Sequence, residues 1–123
     1  MLIPEDIRVR LIRLSGSRRT RSSDFKPGSP TKWQPLSLMD PRPPPRNRTY
    51  FSDDGAWSFI VECLEDRTLE VWEVELLHPP GKVAWYFEVP GCPPVGSIYV
   101  KLQLLGDQVR GRSFHESCPR DGR

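Results

Sequence analysis

The sequence is poor in the residues that build metal sites and disulfide frameworks. It holds 3 cysteines at wide spacings and 2 histidines, and no two cysteines form a C-x-x-C pair. An odd number of widely spaced cysteines argues against a structural zinc site and against a disulfide framework. We therefore expect no metal and no cofactor, and a protein located in the reducing cytoplasm.

Long apolar runs and several catalytic motifs are also missing. No run approaches the roughly 20 apolar residues that a membrane span needs. Arg8, Arg10 and Arg13 interrupt the apolar residues near the start, so a secretory signal is not expected either. The chain has no glycine-rich phosphate loop, no G-x-S-x-G elbow and no H-E-x-x-H motif. The enzyme classes that depend on these motifs find no support.

Proline is abundant and unevenly placed. Of the 14 prolines, 7 lie between Pro27 and Pro45. Proline removes a backbone donor and fixes φ, so neither a helix nor a central strand is expected there. We predict a basic, proline-rich and largely irregular arm over 1–48, a small domain over 49–118 and a disordered tail over 119–123. Trp33 is the apolar anchor of the arm that we expect to dock on the domain.

Charge is also unevenly placed. Residues 1–50 carry a net charge of +7, and residues 51–123 carry −5. A basic segment can bind nucleic acid or an acidic partner, remain solvated, or dock on its own acidic domain. Within it, the apolar and basic residues of 7–14 fit either a strand with a cationic face or a short basic helix. The Ser/Arg composition of 15–24 indicates a flexible linker.

Clear periodicities begin near Tyr50. A cap at Ser52, Asp53 or Asp54 and apolar residues at helical spacing predict an amphipathic helix over about 54–66. Three β-rich stretches follow: 69–76 with a bulge near Trp72-Glu73, 83–89, and the hairpin 97–117. Short connections favour an antiparallel meander. We predict an α+β fold with one amphipathic helix packed on a four-stranded antiparallel sheet, preceded by an extended Pro/Arg-rich arm.

The turn of the hairpin fixes its pairing. Counting back from a turn at Gly106-Asp107, Lys101 faces Arg112 and Tyr99 faces Phe114. Two cations that face each other destabilise a sheet. Compensation is expected either from the glutamates of the 69–76 strand or from an anionic ligand such as a phosphate backbone.

One face of the hairpin therefore collects cations and aromatic rings. That combination suits single-stranded RNA better than a DNA groove. His115 is a natural general acid or base, but strict alternation places it on the core side. A catalytic His115 thus requires a twist or bulge near 113–115. His78, in a proline-rich turn, is a weaker candidate.

Four short motifs carry a resemblance to a known family: Trp85, the Cys-Pro-Pro-Val-Gly run at 92–96, Tyr99-Val100-Lys101 and Phe114-His115-Glu116. They resemble the small bacterial mRNA interferase toxins of the motility quorum-sensing regulator family, relatives of the RelE-type toxins. The partial match covers about residues 55–117. It implies a helix-backed antiparallel sheet, RNA cleavage without metal, and neutralisation by a partner antitoxin.

The resemblance also implies roles for single residues. Tyr99 matches a functional tyrosine, His115 stands where the family has a lysine, and Tyr86 replaces a functional glutamine. We expect a catalytic set of His115, Lys101, Tyr99 and Arg112. In it, His115 acts as base or acid, the two cations hold the phosphate, and Tyr99 orients the phosphate or acts as a weak acid. The expected substrate-binding residues are Arg110, Phe114, Tyr86 and Lys82.

The predicted function is therefore a metal-independent endoribonuclease of a toxin-antitoxin system. Its expected partners are mRNA and a cognate antitoxin, with no membrane. The alternative is a non-catalytic RNA- or protein-binding module of a small bacterial or phage protein.

Overall fold

The computed structural model describes residues 1–24, 32–43, 49–76 and 80–117. The described residues form two α-helices, α1 (Glu5–Ser15) and α2 (Asp53–Glu65), and one 3₁₀ turn at Pro35–Ser37. They also form five strands, numbered along the chain: β1 (Arg21–Ser23), β2 (Trp72–Glu75), β3 (Val83–Pro90), β4 (Ser97–Leu105) and β5 (Gln108–Glu116). They form one sheet in the order β1-β5-β4-β3-β2. None of the helices in these residues is long and apolar enough to cross a membrane.

The α+β class is confirmed, but the predicted element count needs correction. The described chain has two helices instead of one, and five strands instead of four. The sheet is mixed, because β1 runs parallel to β5 while the other neighbouring pairs are antiparallel. The expected extended arm is also corrected, since its residues supply α1, β1 and Trp33 to the domain. His78 and the predicted tail at 119–123 lie outside the described residues.

Helix α2 begins as the sequence predicts. The Ser52 hydroxyl accepts a hydrogen bond from the Gly55 N–H at 2.9 Å, and Asp53 and Asp54 occupy the positive end of the helix. The buried face comprises Ala56, Trp57, Phe59, Ile60 and Leu64. This apolar stripe packs against the sheet and fixes the helix on one of its faces.

Residues 7–14, for which the sequence allows either a strand or a short basic helix, belong to helix α1. Leu11 and Leu14 are fully buried in the same core as α2. The buried Arg8 guanidinium donates to the carbonyl oxygens of Leu64 at 2.8 Å and Leu69 at 2.7 Å. Burial lowers the pKa of Arg8. These bonds satisfy carbonyls at the end of α2 and join the two helices.

Strand β1 and the segment around Trp33 cover the outer edge of β5. The Asp24 N–H donates to Gly111 O, and the Phe114 N–H donates to Lys32 O, each at 2.8 Å. An edge strand without partners invites association with other chains, and this pairing removes that edge. The Ser/Arg-rich stretch predicted as linker thus pairs through its backbone, which needs no apolar side chains.

The β4–β5 hairpin contains a bulge that the sequence count does not include. Gly106 lies at the turn with a φ of 62°, and the pairing follows the prediction as far as Gln103 opposite Arg110. Between Lys101 and Leu102 the register shifts by one residue. Arg112 is the extra residue, so Lys101 faces Ser113 and Tyr99 faces His115.

The bulge predicted near Trp72-Glu73 is wrong. Strand β2 pairs with β3 in unbroken register, from Trp72 opposite Tyr86 to Glu75 opposite Val83. The slip in the apolar pattern has another cause, because Trp72 faces away from the helices and is 37 % exposed. Val71 and Leu76, at either end of β2, are buried.

Trp33 docks on the domain as expected. Its indole lies 5.2 Å from the Trp57 ring and 5.5 Å from the Phe114 ring, measured between centroids. It lies flat enough against Gly111 that a Cβ at that position would overlap the indole ring. Trp33 therefore packs directly on β5 where a side chain is missing.

We predict that Gly111→Ala lowers the free energy of unfolding by about 2 kcal/mol, because the added methyl displaces the Trp33 ring. The matched control is Gly96→Ala, where no atom lies within 4 Å of the new Cβ and φ is not positive. The control changes stability by less than about 0.5 kcal/mol. Denaturant unfolding of both variants measures the difference. Equal stabilities of the two variants would show that Trp33 does not pack on Gly111.

Candidate nucleic-acid interface

A row of three stacked rings crosses β3, β4 and β5 on the face of the sheet opposite the helices, here called the outer face. The Tyr86 and Tyr99 rings lie 5.4 Å apart at 22°, and the Tyr99 and His115 rings lie 5.3 Å apart at 26°. The bulge places His115 in this row, because it restores His115 to the same face as Tyr99. The sequence analysis requires a twist or bulge near 113–115 to bring His115 to this face, and the structure has a bulge at Arg112.

Cations lie beside the ring row on the same face. The half-buried Lys101 on β4 lies opposite Ser113 on β5. The next pair along the two strands, Val100 and Phe114, points to the core instead. Burial lowers the pKa of Lys101, and the positive charges of Arg112 and Lys32 lower it further. Arg112 also donates to the side-chain oxygen of the buried Gln103 at 3.4 Å. The outer face thus holds several positive charges close together.

Asp24 partly balances these cations. Its carboxylate lies 3.7 Å from the Arg110 guanidinium and 3.5 Å from that of Arg112. The expected compensation by the glutamates of the 69–76 strand is therefore corrected. That strand is β2, at the opposite edge of the sheet, whereas β1 brings Asp24 beside Arg110 and Arg112.

Tyr99 occupies the centre of the ring row. Burial, together with the nearby Tyr86 and the carboxylate of Glu88, raises its pKa to about 12. Its phenol therefore stays protonated at neutral pH and can donate a hydrogen bond. This environment favours the predicted role of orienting a phosphate over the role of proton donor.

His115 has one ring nitrogen fixed by the backbone. Its Nδ1 lies 2.8 Å from the carbonyl oxygen of Glu116. In the neutral ring, the proton on Nδ1 donates to this oxygen, so Nε2 carries the lone pair. This tautomer gives Nε2 the capacity to accept a proton from a ligand on the outer face.

Two of the predicted site residues lie elsewhere. Phe114 is completely buried among Trp33, Phe51 and Phe59, so it is a core residue and cannot stack on a base. The bulge is the reason, since it turns Phe114 inward when it turns His115 outward. Lys82 is exposed just before β3, four residues from Tyr86, roughly 13 Å along the strand. The structure therefore does not bring Lys82 to the ring row.

Sequence reasoning missed several residues of the interface. Asp24 ends a stretch whose composition indicates a linker, and no pattern in it predicts parallel pairing with β5. Ser113 is buried opposite Lys101, and the buried Gln103 accepts a hydrogen bond from Arg112. The alternation of β4 was sufficient to place Gln103, whereas Ser113 requires knowledge of the bulge.

Comparisons of the chain with protein-family models, with curated proteins and with solved structures find no match. Within the described ranges, no group of three or more His, Cys, Asp or Glu side chains is placed to hold a metal ion. A function for this chain must therefore be inferred from the side chains of the outer face.

The raised pKa of Tyr99 has a measurable consequence. Because its folded pKa of about 12 exceeds the unfolded value near 10, its contribution to stability is complete below pH 10. That contribution is lost as pH rises from about 10 through 12. We predict that the Tyr99 phenol remains protonated at pH 10.5, as read from its ¹³Cζ chemical shift, with Tyr99→Phe providing the assignment. A Tyr99 signal already half-shifted at pH 10 would contradict the burial of its phenol.

Proposed function

We propose that the outer face binds single-stranded RNA and cleaves it without a metal ion, as an endoribonuclease of the mRNA interferase type. The observation that carries the proposal is the ring row of Tyr86, Tyr99 and His115 beside Lys101 and Arg112. Stacked rings next to cations are the two elements that single-stranded nucleic acids need.

The rings supply the base contacts. Tyr99 is stacked between Tyr86 and His115, so a base can stack on the outward ring faces of Tyr86 and His115 at the two ends of the row. Base stacking on an aromatic side chain contributes about 1–3 kcal/mol and tolerates any base. An extended RNA strand that crosses β3, β4 and β5 would therefore bind largely independently of sequence.

The cations supply the phosphate contacts. Lys101 and Arg112 repel each other, so a bound phosphate relieves an unfavourable interaction. The Nε of Arg110 is buried and has no hydrogen-bond acceptor among the described residues. The rest of the guanidinium is more accessible, since the Arg110 side chain is 40 % exposed, and it can donate to a phosphate oxygen.

The chemistry uses the 2′-hydroxyl of the RNA. His115 Nε2 takes the proton from this hydroxyl, and its oxygen attacks the adjacent phosphorus. The bond from phosphorus to the 5′-oxygen breaks, which leaves a 2′,3′-cyclic phosphate and a 5′-hydroxyl. Lys101 and Arg112 stabilise the charge that develops on the phosphorus oxygens. The imidazolium of His115 or water returns a proton to the leaving oxygen.

A cognate antitoxin protein is part of this proposal. It is supported by the resemblance of the motifs at 85–116 to the mRNA interferase toxins. Where the family has a lysine this chain has His115, whose imidazole can both accept and return a proton.

The second candidate is a non-catalytic RNA-binding module. It is favoured by the stacking of His115 on Tyr99 at 5.3 Å between ring centroids, because an imidazole fills this role without any proton transfer. On this alternative the ring row and the cations have the same binding role, and His115 contributes stacking alone.

The cleavage test uses a 5′-labelled single-stranded RNA in the presence of EDTA. We expect His115→Ala to lower the cleavage rate at least about 100-fold, because it removes the general base. Lys101→Ala lowers the rate by a similar factor through lost stabilisation of the phosphorus oxygens. The control is Arg19→Ala, an exposed cation in the turn after α1.

Product analysis separates the two candidates. A 2′,3′-cyclic phosphate end supports cleavage by the 2′-hydroxyl, and a 2′-deoxy substitution at the cleaved position abolishes the product. RNA that is bound but not cleaved supports the non-catalytic module. Wild-type cleavage by both His115→Ala and Lys101→Ala would overturn the assigned roles.

The Asp24 carboxylate provides an independent test of the phosphate contacts. We predict that Asp24→Asn tightens RNA binding about three- to tenfold at low salt, because it releases Arg110 and Arg112 from a competing anion. The salt dependence of the dissociation constant should steepen by about one phosphate contact. Affinity that is unchanged or weaker in this variant would mean that RNA does not contact these arginines.

A further inference from the structure

Strand β3 is longer than its neighbour β2, and the difference leaves a groove. Pairing with β2 ends at Trp72 opposite Tyr86, whereas β3 continues to Pro90. Two adjoining cavities of about 420 and 370 Å³ follow this unpaired part of β3. They share Thr68, Leu69 and Glu88 in their walls, so we treat them as one β3-edge groove.

The wall of the groove opposite β3 is the segment 66–71 between α2 and β2, and several hydrogen bonds fix its position. The Arg8 guanidinium donates to the carbonyl oxygens of Asp66 at 3.3 Å and Leu69 at 2.7 Å. The Asp66 carboxylate accepts from the N–H and hydroxyl of Thr68 at 3.0 and 2.6 Å. A wall fixed in this way costs little ordering when a ligand binds.

The charge of the groove is opposite to that of the outer face. Four acidic residues line it: Glu62, Asp66, Glu70 and Glu88. The Glu88 carboxylate also accepts a hydrogen bond from the Ser117 hydroxyl at 2.8 Å. The groove's single basic lining residue in the described chain is Arg42, which is already paired with Asp40 and Glu62. An RNA backbone is repelled from this groove, and a cationic ligand is attracted.

Two aromatic side chains complete one end of the groove. Trp72 and Tyr86 are opposite each other on β2 and β3, and both line the larger cavity with Glu70 and Glu88. Aromatic faces with nearby carboxylates bind guanidinium or ammonium groups. Beyond Tyr86, the edge of β3 away from β4 pairs with no other strand of the described residues, and such an edge is suited to accept an added strand.

We propose that the β3-edge groove binds an extended basic segment of a partner protein. The segment adds as a strand along Phe87–Pro90 and places an arginine or lysine side chain beside Trp72 and Tyr86, facing Glu70 and Glu88. The proposal shares Tyr86 with the ring row, but it does not require RNA cleavage, because it uses neither His115 nor Lys101.

The probe is a capped hexapeptide of alternating valine and arginine, titrated into the ¹⁵N-labelled full-length chain. We expect shifts of the amide signals of β3 between Phe87 and Val89 and of the Trp72 indole, assigned with Trp72→Phe. Two comparison peptides separate the contacts. Citrulline in place of arginine removes the charge, and alternate N-methylation of the backbone removes the donors for strand pairing. Each is expected to bind at least about tenfold more weakly.

Variants of the protein locate the site. Glu70→Gln combined with Glu88→Gln weakens the arginine peptide about tenfold, since two carboxylates face the same cation. Glu75→Gln, an exposed carboxylate on β2 outside the groove, leaves the affinity unchanged, and so does Lys101→Ala. Equal binding of the citrulline peptide, equal binding of the N-methylated peptide, or unchanged binding by the double variant overturns the proposal. So does the absence of binding at millimolar peptide.

Discussion

One extra residue in β5 determines how the rest of the molecule is arranged. Because Arg112 is the extra residue of the bulge, the side chains beyond it exchange faces relative to a regular hairpin. Phe114 turns into the core, where it meets Trp33 and Phe51, and His115 joins Tyr99 on the outer face. A regular hairpin would bury the imidazole and expose the phenyl ring, at a cost to both the core and the interface.

Elements that carry their own pattern could be predicted from the sequence. The α2 helix has a cap and an apolar stripe, β3 is a β-rich run, and β4 alternates up to the turn at Gly106 that leads into β5. By contrast, β1 pairs with β5 through its backbone, and its Ser/Arg composition contains no apolar pattern that would predict a strand. Helix α1 remained undecided because Ile7, Leu11 and Leu14 fit two periods, and the choice depends on burial against α2 and on the bonds of Arg8. Tertiary contacts such as these override local preference and are not visible in one sequence.

The candidate site shows the same division. Alternation along β4 was enough to place Tyr99 and Lys101 on one face with Gln103. The positions of His115 and Phe114 depend on the bulge, which changes the face of every residue after it. Lys101 faces Ser113 and not Arg112, but the expected repulsion between the two cations is present. After burial, the charge of Arg112 also lowers the pKa of Lys101. The partial relief of this repulsion by Asp24 could not be foreseen, because it requires the parallel strand β1.

The two proposed surfaces meet at Tyr86 and Glu88, and this contact couples them. Tyr86 is the first ring of the row and also lines the β3-edge groove. A cation bound beside Tyr86 therefore occupies a ring on which an RNA base would stack. It also screens the carboxylate of Glu88, which helps to raise the pKa of Tyr99. Binding free energies are reciprocal, so a basic segment that weakens RNA binding must itself be weakened by RNA to the same extent. A partner seated in the groove could thus control the outer face without contacting His115 or Lys101.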